Sequence, residues 1–317
     1  MAVSTIDNNG VNLGQLGNRS SIINGAMTVS QRGVSFTANG YTLDRWVLAS
    51  NNTAPTVTQE TGVFATGGKS IKMITDASNG YAYVAQKVED LSYFSGKTIT
   101  VSFDYKATNN FWLQFEYHYG SGGSTPEYTK HQTAISSSAT ATRASVTVTI
   151  DDLSAKTFGS ASTSYLKLLF NSEIANPTTV EITNVQLEVG DTSTPFEHRS
   201  FDQENTLCQR YFQRYGAGAT DGRIGVGGWN NSTSADMLIS LTHEMRVTPT
   251  VSAPSKGRVL DFAVAWYPIT SFITGESTSK TVNIGATISG TSAAAQGDVA
   301  FLGGGGGAFD YQMDAEL

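Results

Sequence analysis

The stretch TITVSFDYKATNNFWLQFEYHYG, residues 98–120, decides how the chain is read. In its first half Ile99, Val101, Phe103 and Tyr105 fall on one face of a strand, and Thr100, Ser102, Asp104 and Lys106 on the other. The second half repeats the pattern, with Phe111, Leu113, Phe115, Tyr117 and Tyr119 opposite Trp112, Gln114, Glu116 and His118. Successive side chains of a strand point to opposite faces, so each half offers one face to a core and one to water. RASVTVTID (143–151) does the same with Val146, Val148 and Ile150, and SYLKLLFN (164–171) with Leu166, Leu168 and Phe170. Clean alternation over many regularly spaced strands is the pattern of two antiparallel sheets packed face to face. A jelly-roll sandwich is the expected closure.

Composition agrees with an all-β chain. Of 317 residues only 15% are charged, while Gly, Ser, Thr and Asn are plentiful. That suits short strands joined by turns better than helices carrying i,i+4 ion pairs. The formal charge of −7 argues against nucleic acid, whose phosphates need a basic face. No apolar run is long enough to cross a bilayer, so membrane insertion is not expected. The first residues lack the basic and apolar regions of a signal peptide, which implies synthesis and folding in cytoplasm. Cys208 stands alone, so it forms no intrachain disulfide and reads as a small buried residue.

Three segments follow from the pattern. Residues 1–20 are polar and without period, and read as an arm that orders against a neighbour or not at all. Residues 21–199 form the sandwich, and 200–317 form a second, smaller antiparallel β-domain with strands at ADMLISLT, RVLDFAVAW, KTVNIGATIS and GAFDYQMDAEL. Between them VQLEV (185–189) ends in the turn-formers Gly190, Asp191, Ser193 and Pro195. Ser200 and Gln203 then have capping-box spacing, which predicts a short joining helix. Tyr211, Phe212 and Tyr215 begin the second core. The run Gly303–Gly307 reads as a flexible hairpin loop, or as a surface tip where backbone meets a ligand.

IINGAMTVSQRG (22–33), YTLDRWVLA (41–49), GGKSIKM (67–73), TITVSFDYKA (98–107) and TNVQLEVGDTSTPFEHR (183–199) occur in that order. LCQRYFQRY (207–215), HEMRVTPTVS (243–252) and the closing DAEL follow. This ordered set resembles a recurrent virion module of tailed bacteriophages, over about residues 20–317. The resemblance implies a tail-fibre or tail-tip receptor-binding protein with a first domain similar to carbohydrate-binding-module jelly rolls, attaching to host-surface glycan without cleaving it. A capsid decoration or head-fibre protein with a purely structural role is the alternative. It also implies location on the virion, contacts with other virion proteins through the N-terminal arm, and a homotrimer. Phe309, Tyr311 and Met313 are expected at or near the trimer axis. No cofactor is implied. A structural Ca²⁺ ion would accord with such jelly rolls, but the sequence shows no loop of alternating acidic ligands.

Sugar binding needs an aromatic platform and planar polar groups that fork onto hydroxyls. Trp112, Gln114, Glu116 and His118 supply both on one strand face, joined by Asp104 and Lys106 if the two strands pair as a hairpin. The plainer alternative packs Trp112 under a loop or subunit and leaves the polar trio solvated. Trp46 reads as core, and Trp229 and Trp266 as packing or subunit contacts. Catalysis is not expected. Asp104 with Glu116, or Asp151 with Asp152, are pairs that 27 acids produce by chance. The four histidines show no metal-ligand spacing, and GVFATGGKS (62–70) misses the phosphate-loop spacing by one residue.

Overall fold

The computed structural model describes residues 19–65, 67–172 and 177–317. The expected arm, but for its last two residues, lies outside them. The chain is all-β apart from one α-helix and short 3-10 turns among the described residues, and it divides into two compact units. The first ends at Glu204; the second is Asn205–Glu316.

The strands of the first unit are β1 (Ser35–Phe36), β2 (Gly40–Tyr41), β3 (Trp46–Ser50), β4 (Thr56–Thr61), β5 (Lys69–Ile74) and β6 (Ala82–Glu89). β7 (Thr98–Ala107), β8 (Phe111–Tyr119), β9 (Glu127–Ile135), β10 (Ser138–Thr149), β11 (Ser164–Ser172) and β12 (Thr179–Val189) complete it. They form two six-stranded antiparallel sheets, β1-β4-β5-β12-β7-β10 and β2-β3-β6-β11-β8-β9. The alternating apolar residues meet between the sheets, where Ile99, Val101, Phe103, Phe111, Leu113, Phe115, Leu166, Leu168 and Phe170 are all buried. Trp46 joins them, with its indole N–H donating to the Asn24 carbonyl at 3.1 Å.

β7 and β8 do not pair as a hairpin: they lie in opposite sheets. Each carries a wide aromatic face, and two such faces bury more area against each other than side by side. The ring of Phe111 accordingly lies 5.3 Å from that of Tyr105 and 6.4 Å from that of Phe103. The three residues between the strands bond outward instead of closing a turn. Thr108 N–H donates to the Thr179 carbonyl (3.1 Å), and the Asn109 amide to that of Pro177 (2.7 Å). β9, at the edge of its sheet, loses register with β8 at two points, and Thr129 and His131 take left-handed φ values of 56° and 46°.

The predicted cap is present. Gln203 N–H donates to Ser200 Oγ (3.2 Å) and Ser200 N–H donates back to Gln203 Oε1 (3.0 Å), opening α1 (Phe201–Gln209). Cys208 is buried on this helix.

The second unit has β13 (Phe212–Ala219), β14 (Arg223–Asn231), β15 (Ser234–Ser240), β16 (Thr250–Lys256) and β17 (Arg258–Leu260). β18 (Trp266–Gly275), β19 (Thr281–Ile288), β20 (Val299–Gly303) and β21 (Phe309–Asp314) follow. β13-β21-β16 make a three-stranded sheet, and the other six close a barrel. RVLDFAVAW is therefore not one strand: a turn at Asp261–Ala265 divides it.

Two expectations are corrected here. Phe309, Tyr311 and Met313 are at most 2% exposed and belong to this unit's own core, so they cannot lie on a subunit axis. β21 is the central strand of its sheet, and its apolar side chains pack within the unit, with Tyr311 beside Phe272. The glycine run is no hairpin loop, because β20 and β21 belong to different sheets. All of it but the exposed Gly306 is close-packed: a Cβ on Gly304 would lie 2.1 Å from the Thr220 carbonyl, and one on Gly305 2.1 Å from the Trp266 ring.

Candidate functional site

The outer face of the second sheet is built by β6, β11 and β8. Their registers place Glu116 beside Lys167 and Lys87, and His118 beside Tyr165 and Glu89. Trp112 falls beside Asn171 and Tyr83, and Gln114 beside Leu169 and Ala85. The alternation that drives Phe111, Leu113, Phe115, Tyr117 and Tyr119 into the core aims these side chains outward.

At the centre Lys167 Nζ donates to Glu116 Oε2 (3.1 Å) and to the Tyr83 hydroxyl (2.6 Å). His118 Nε2 donates to the same Oε2 at 3.0 Å. Burial alone would raise the Glu116 pKa. The His118 hydrogen bond and the Lys167 charge outweigh it and hold the carboxyl below its ordinary value. Both recorded bonds fall on Oε2, so among the described residues Oε1 has no protein donor. Desolvation, reinforced by the Glu116 charge, pushes Tyr81 and Tyr165 up to about 12, so both remain phenols.

One step along β8, Gln114 Oε1 accepts from the Asn171 amide (2.9 Å) and the Tyr81 hydroxyl (3.3 Å). That fixes the amide and leaves its Nε2 as a donor without an acceptor among the described residues. The face thus carries a free carboxylate oxygen and a free amide N–H at alternate positions. Rings flank the pair. The half-buried Trp112 faces only Ala134 on the β9 side, and His118 stacks on Tyr165 at 4.3 Å and 18°. From Trp112 to His118 the strand spans about 20 Å at the usual rise per residue.

Of the six residues named from the sequence, the structure brings four together. Asp104 and Lys106 are on the outer face of the first sheet, the opposite side of the sandwich. There Asp104 pairs with Arg143 (3.0 Å) and accepts from Asn184 (2.6 Å). Asp104 and Glu116 therefore cannot act as a carboxylate pair. Lys106 lines a cleft of about 590 Å³ on that first sheet. On the second-sheet face Gln114 and Glu116 are 2% and 6% exposed, set among the partly exposed Trp112, Tyr81, Tyr83 and Tyr165. Tyr83, Tyr165, Lys167 and Asn171 were missed. The period-two alternation of YAYVAQKVE and SYLKLLFN carried them, once their outward residues are read as well as their inward ones.

No protein-family model and no curated protein sequence matches the chain. Solved structures do. The enzymatically active domain of tailspike protein 4 of bacteriophage CBA120 is 14% identical with a TM-score of 0.39, over 54% of this chain and 22% of that one. A putative sugar-binding protein of Bacteroides thetaiotaomicron is 13% identical with a TM-score of 0.38, over 54% of this chain and 100% of that one. A C-terminal family 22 carbohydrate-binding module of Clostridium thermocellum is 15% identical with a TM-score of 0.36, over 56% and 99%. These likenesses concern β architecture alone.

Proposed function

We propose that the chain is a non-catalytic virion protein of a tailed bacteriophage that holds host-surface glycan on the outer face of its second sheet. One observation carries the glycan reading: Gln114 and Glu116 present a fixed donor and acceptor between Trp112 and the His118–Tyr165 stack. A pyranose offers the complement, hydroxyls at its edge and C–H groups on its face. The virion assignment is supported by the ordered motifs from residue 22 to the C-terminus.

Holding without cleavage accords with the state of Glu116. A general acid for glycoside hydrolysis needs a raised pKa, and this carboxyl is held low. Attachment through the N-terminal arm and assembly as a homotrimer belong to the same reading. Trimers multiply weak single sites through avidity. Sedimentation of the purified chain at micromolar concentration tests the trimer, and a monomer would remove it.

Trp112→Ala decides the site. Losing one aromatic anchor is worth about 2 kcal/mol, or roughly a thirtyfold loss of affinity per site. The variant should fold, by circular dichroism, yet fail to adsorb to host cells and to host polysaccharide. Normal adsorption would place the site elsewhere.

A further inference from the structure

The free edges of the sandwich are guarded unequally. β1 and β2, each at the end of its sheet, are two residues long, and β9 breaks register with β8 twice. Short or irregular edges give a foreign strand little to follow. β10 ends the first sheet and is different. Over residues 142–149 it pairs with β7 residue for residue, without a further shift. A strand paired on one side uses the N–H and carbonyl of every second residue, so half of its backbone groups point away from the sheet. Among the described residues, no backbone group of residues 141–149 has a partner outside β7.

The side chains leave the same edge open. Arg143, Ser145, Thr147 and Thr149 are exposed, and the inward Ala144, Val146 and Val148 are only half-buried against the core. Their partners on β7, Phe103, Val101 and Ile99, are fully buried. The apolar layer between the sheets therefore runs out to β10 and stops there half covered. Lysine, proline and inward-pointing charges are the usual guards of an exposed edge, and residues 141–149 contain none of them. Their one charge, Arg143, is spent within the sheet, on Asp104 (3.0 Å) and Ser102 Oγ (2.8 Å). An extended polypeptide completes such an edge, because only a backbone repeats donors and acceptors at the strand's own spacing. Its side chains must be uncharged, aliphatic at the inward positions and small or hydroxylated at the outward ones.

β10 itself meets that description. We infer that β10 is a contact between two copies of this chain, paired antiparallel about Val146. In that register Val146 meets Val146 of the second copy and Ala144 meets Val148, so the half-buried inner row is covered by its own counterpart. On the outward row Ser145 meets Thr147 and Arg143 meets Thr149, and no like charges are opposed. A slip of one residue would set inward side chains against outward ones. The contact is two-fold and stops at the pair, because the joined sheet ends on both sides in the two-residue β1. It doubles the mass of the unit that forms it, whether that unit is one chain or the trimer proposed above.

Sedimentation of the full chain across a dilution series gives the concentration at which the doubled mass halves. Ser145→Glu combined with Thr147→Glu sets carboxylate against carboxylate at both symmetry-related positions, and should raise that concentration about tenfold or more. Ser145→Glu combined with Thr147→Lys sets carboxylate against ammonium instead, and should leave it at the native value or below. Both positions are exposed, so circular dichroism should show the native fold in each variant. Should either fail to fold, hydrogen exchange of the native chain decides: peptides from β10 should lose protection over the same dilution while those from β7 keep theirs. A native chain with no doubled mass at any concentration, equal pairing by the first variant, lost pairing in a folded second variant, or β10 exchange that ignores dilution overturns the inference.

Discussion

Lys167→Met removes an ammonium and keeps most of its aliphatic stem, and so isolates the charge at the centre of the platform. Lys167 and Glu116 are each 8% exposed, with nitrogen and oxygen 3.1 Å apart. At an effective dielectric of about 20 such charges attract by roughly 5 kcal/mol, most of it offset by desolvation. Removing one partner is another matter, because the other charge stays buried; that costs about 3–5 kcal/mol. His118 still donates to Glu116 in the variant, so the low end applies, about 3 kcal/mol. Fluorescence would blur the result, since Trp46 and Trp112 lie in one unit and Trp229 and Trp266 in the other. Hydrogen exchange in peptides from β8 and β11 reads the first unit alone. Their slowest amides should exchange roughly a hundredfold faster.

The pH dependence follows from the same pair. In the native chain the Glu116 pKa is lowered, so its contribution is full above the ordinary value of 4.5 and fades as pH falls through the lower folded value. Without Lys167, burial dominates and raises the pKa. The penalty should then be largest near neutral pH and shrink as the buried carboxyl takes up a proton. Adding Glu116→Gln to Lys167→Met removes the stranded charge and should recover about half the loss. Native exchange rates in the single variant, or a double variant no better than the single, would refute the reasoning.

Three further outcomes are expected. Ser200→Ala removes one half of the reciprocal cap on α1 and should cost about 1 kcal/mol, read as a lowered thermal midpoint. Gly305→Ala combines a left-handed φ of 52° with a clash against the Trp266 ring. It should destabilise the second unit by more than about 1 kcal/mol in urea unfolding, with the first unit unaffected. Glu127 is held at about 2, first by the hydrogen bond from Lys156 and next by that from Tyr119. Its stabilising contribution should be full above 4.5 and disappear as pH falls toward 2, and carbon-detected titration of its carboxyl should show the low midpoint.

The legible part of this chain was whatever period-two alternation carries. Faces of single strands were readable because burial acts residue by residue along them, as for Phe103, Leu113 and Leu168. The cap at Ser200 and Gln203 was readable because its partners are three residues apart. Partnership between strands was not. TNN between β7 and β8 has the composition of a turn, and only the contest between packing side by side and packing face to face sends the chain across the sandwich. That one crossing moved Asp104 and Lys106 away from Trp112. Long-range registers then supplied Lys167, Tyr83 and Asn171, which no local pattern ties to Glu116. The glycine run misled for a related reason, since glycine marks tight approach as readily as mobility, and Thr220 and Trp266 are distant in sequence.

The irregular β9 has a consequence for chains held side by side in large numbers. An edge strand with a straight backbone exposes a ladder of N–H and C=O groups that a neighbour's edge can zip onto, sheet to sheet, without limit. Two lost registers and the left-handed Thr129 and His131 break that ladder at intervals too short for a second strand to nucleate. That edge of the second sheet is therefore closed to the addition of a neighbour's strand.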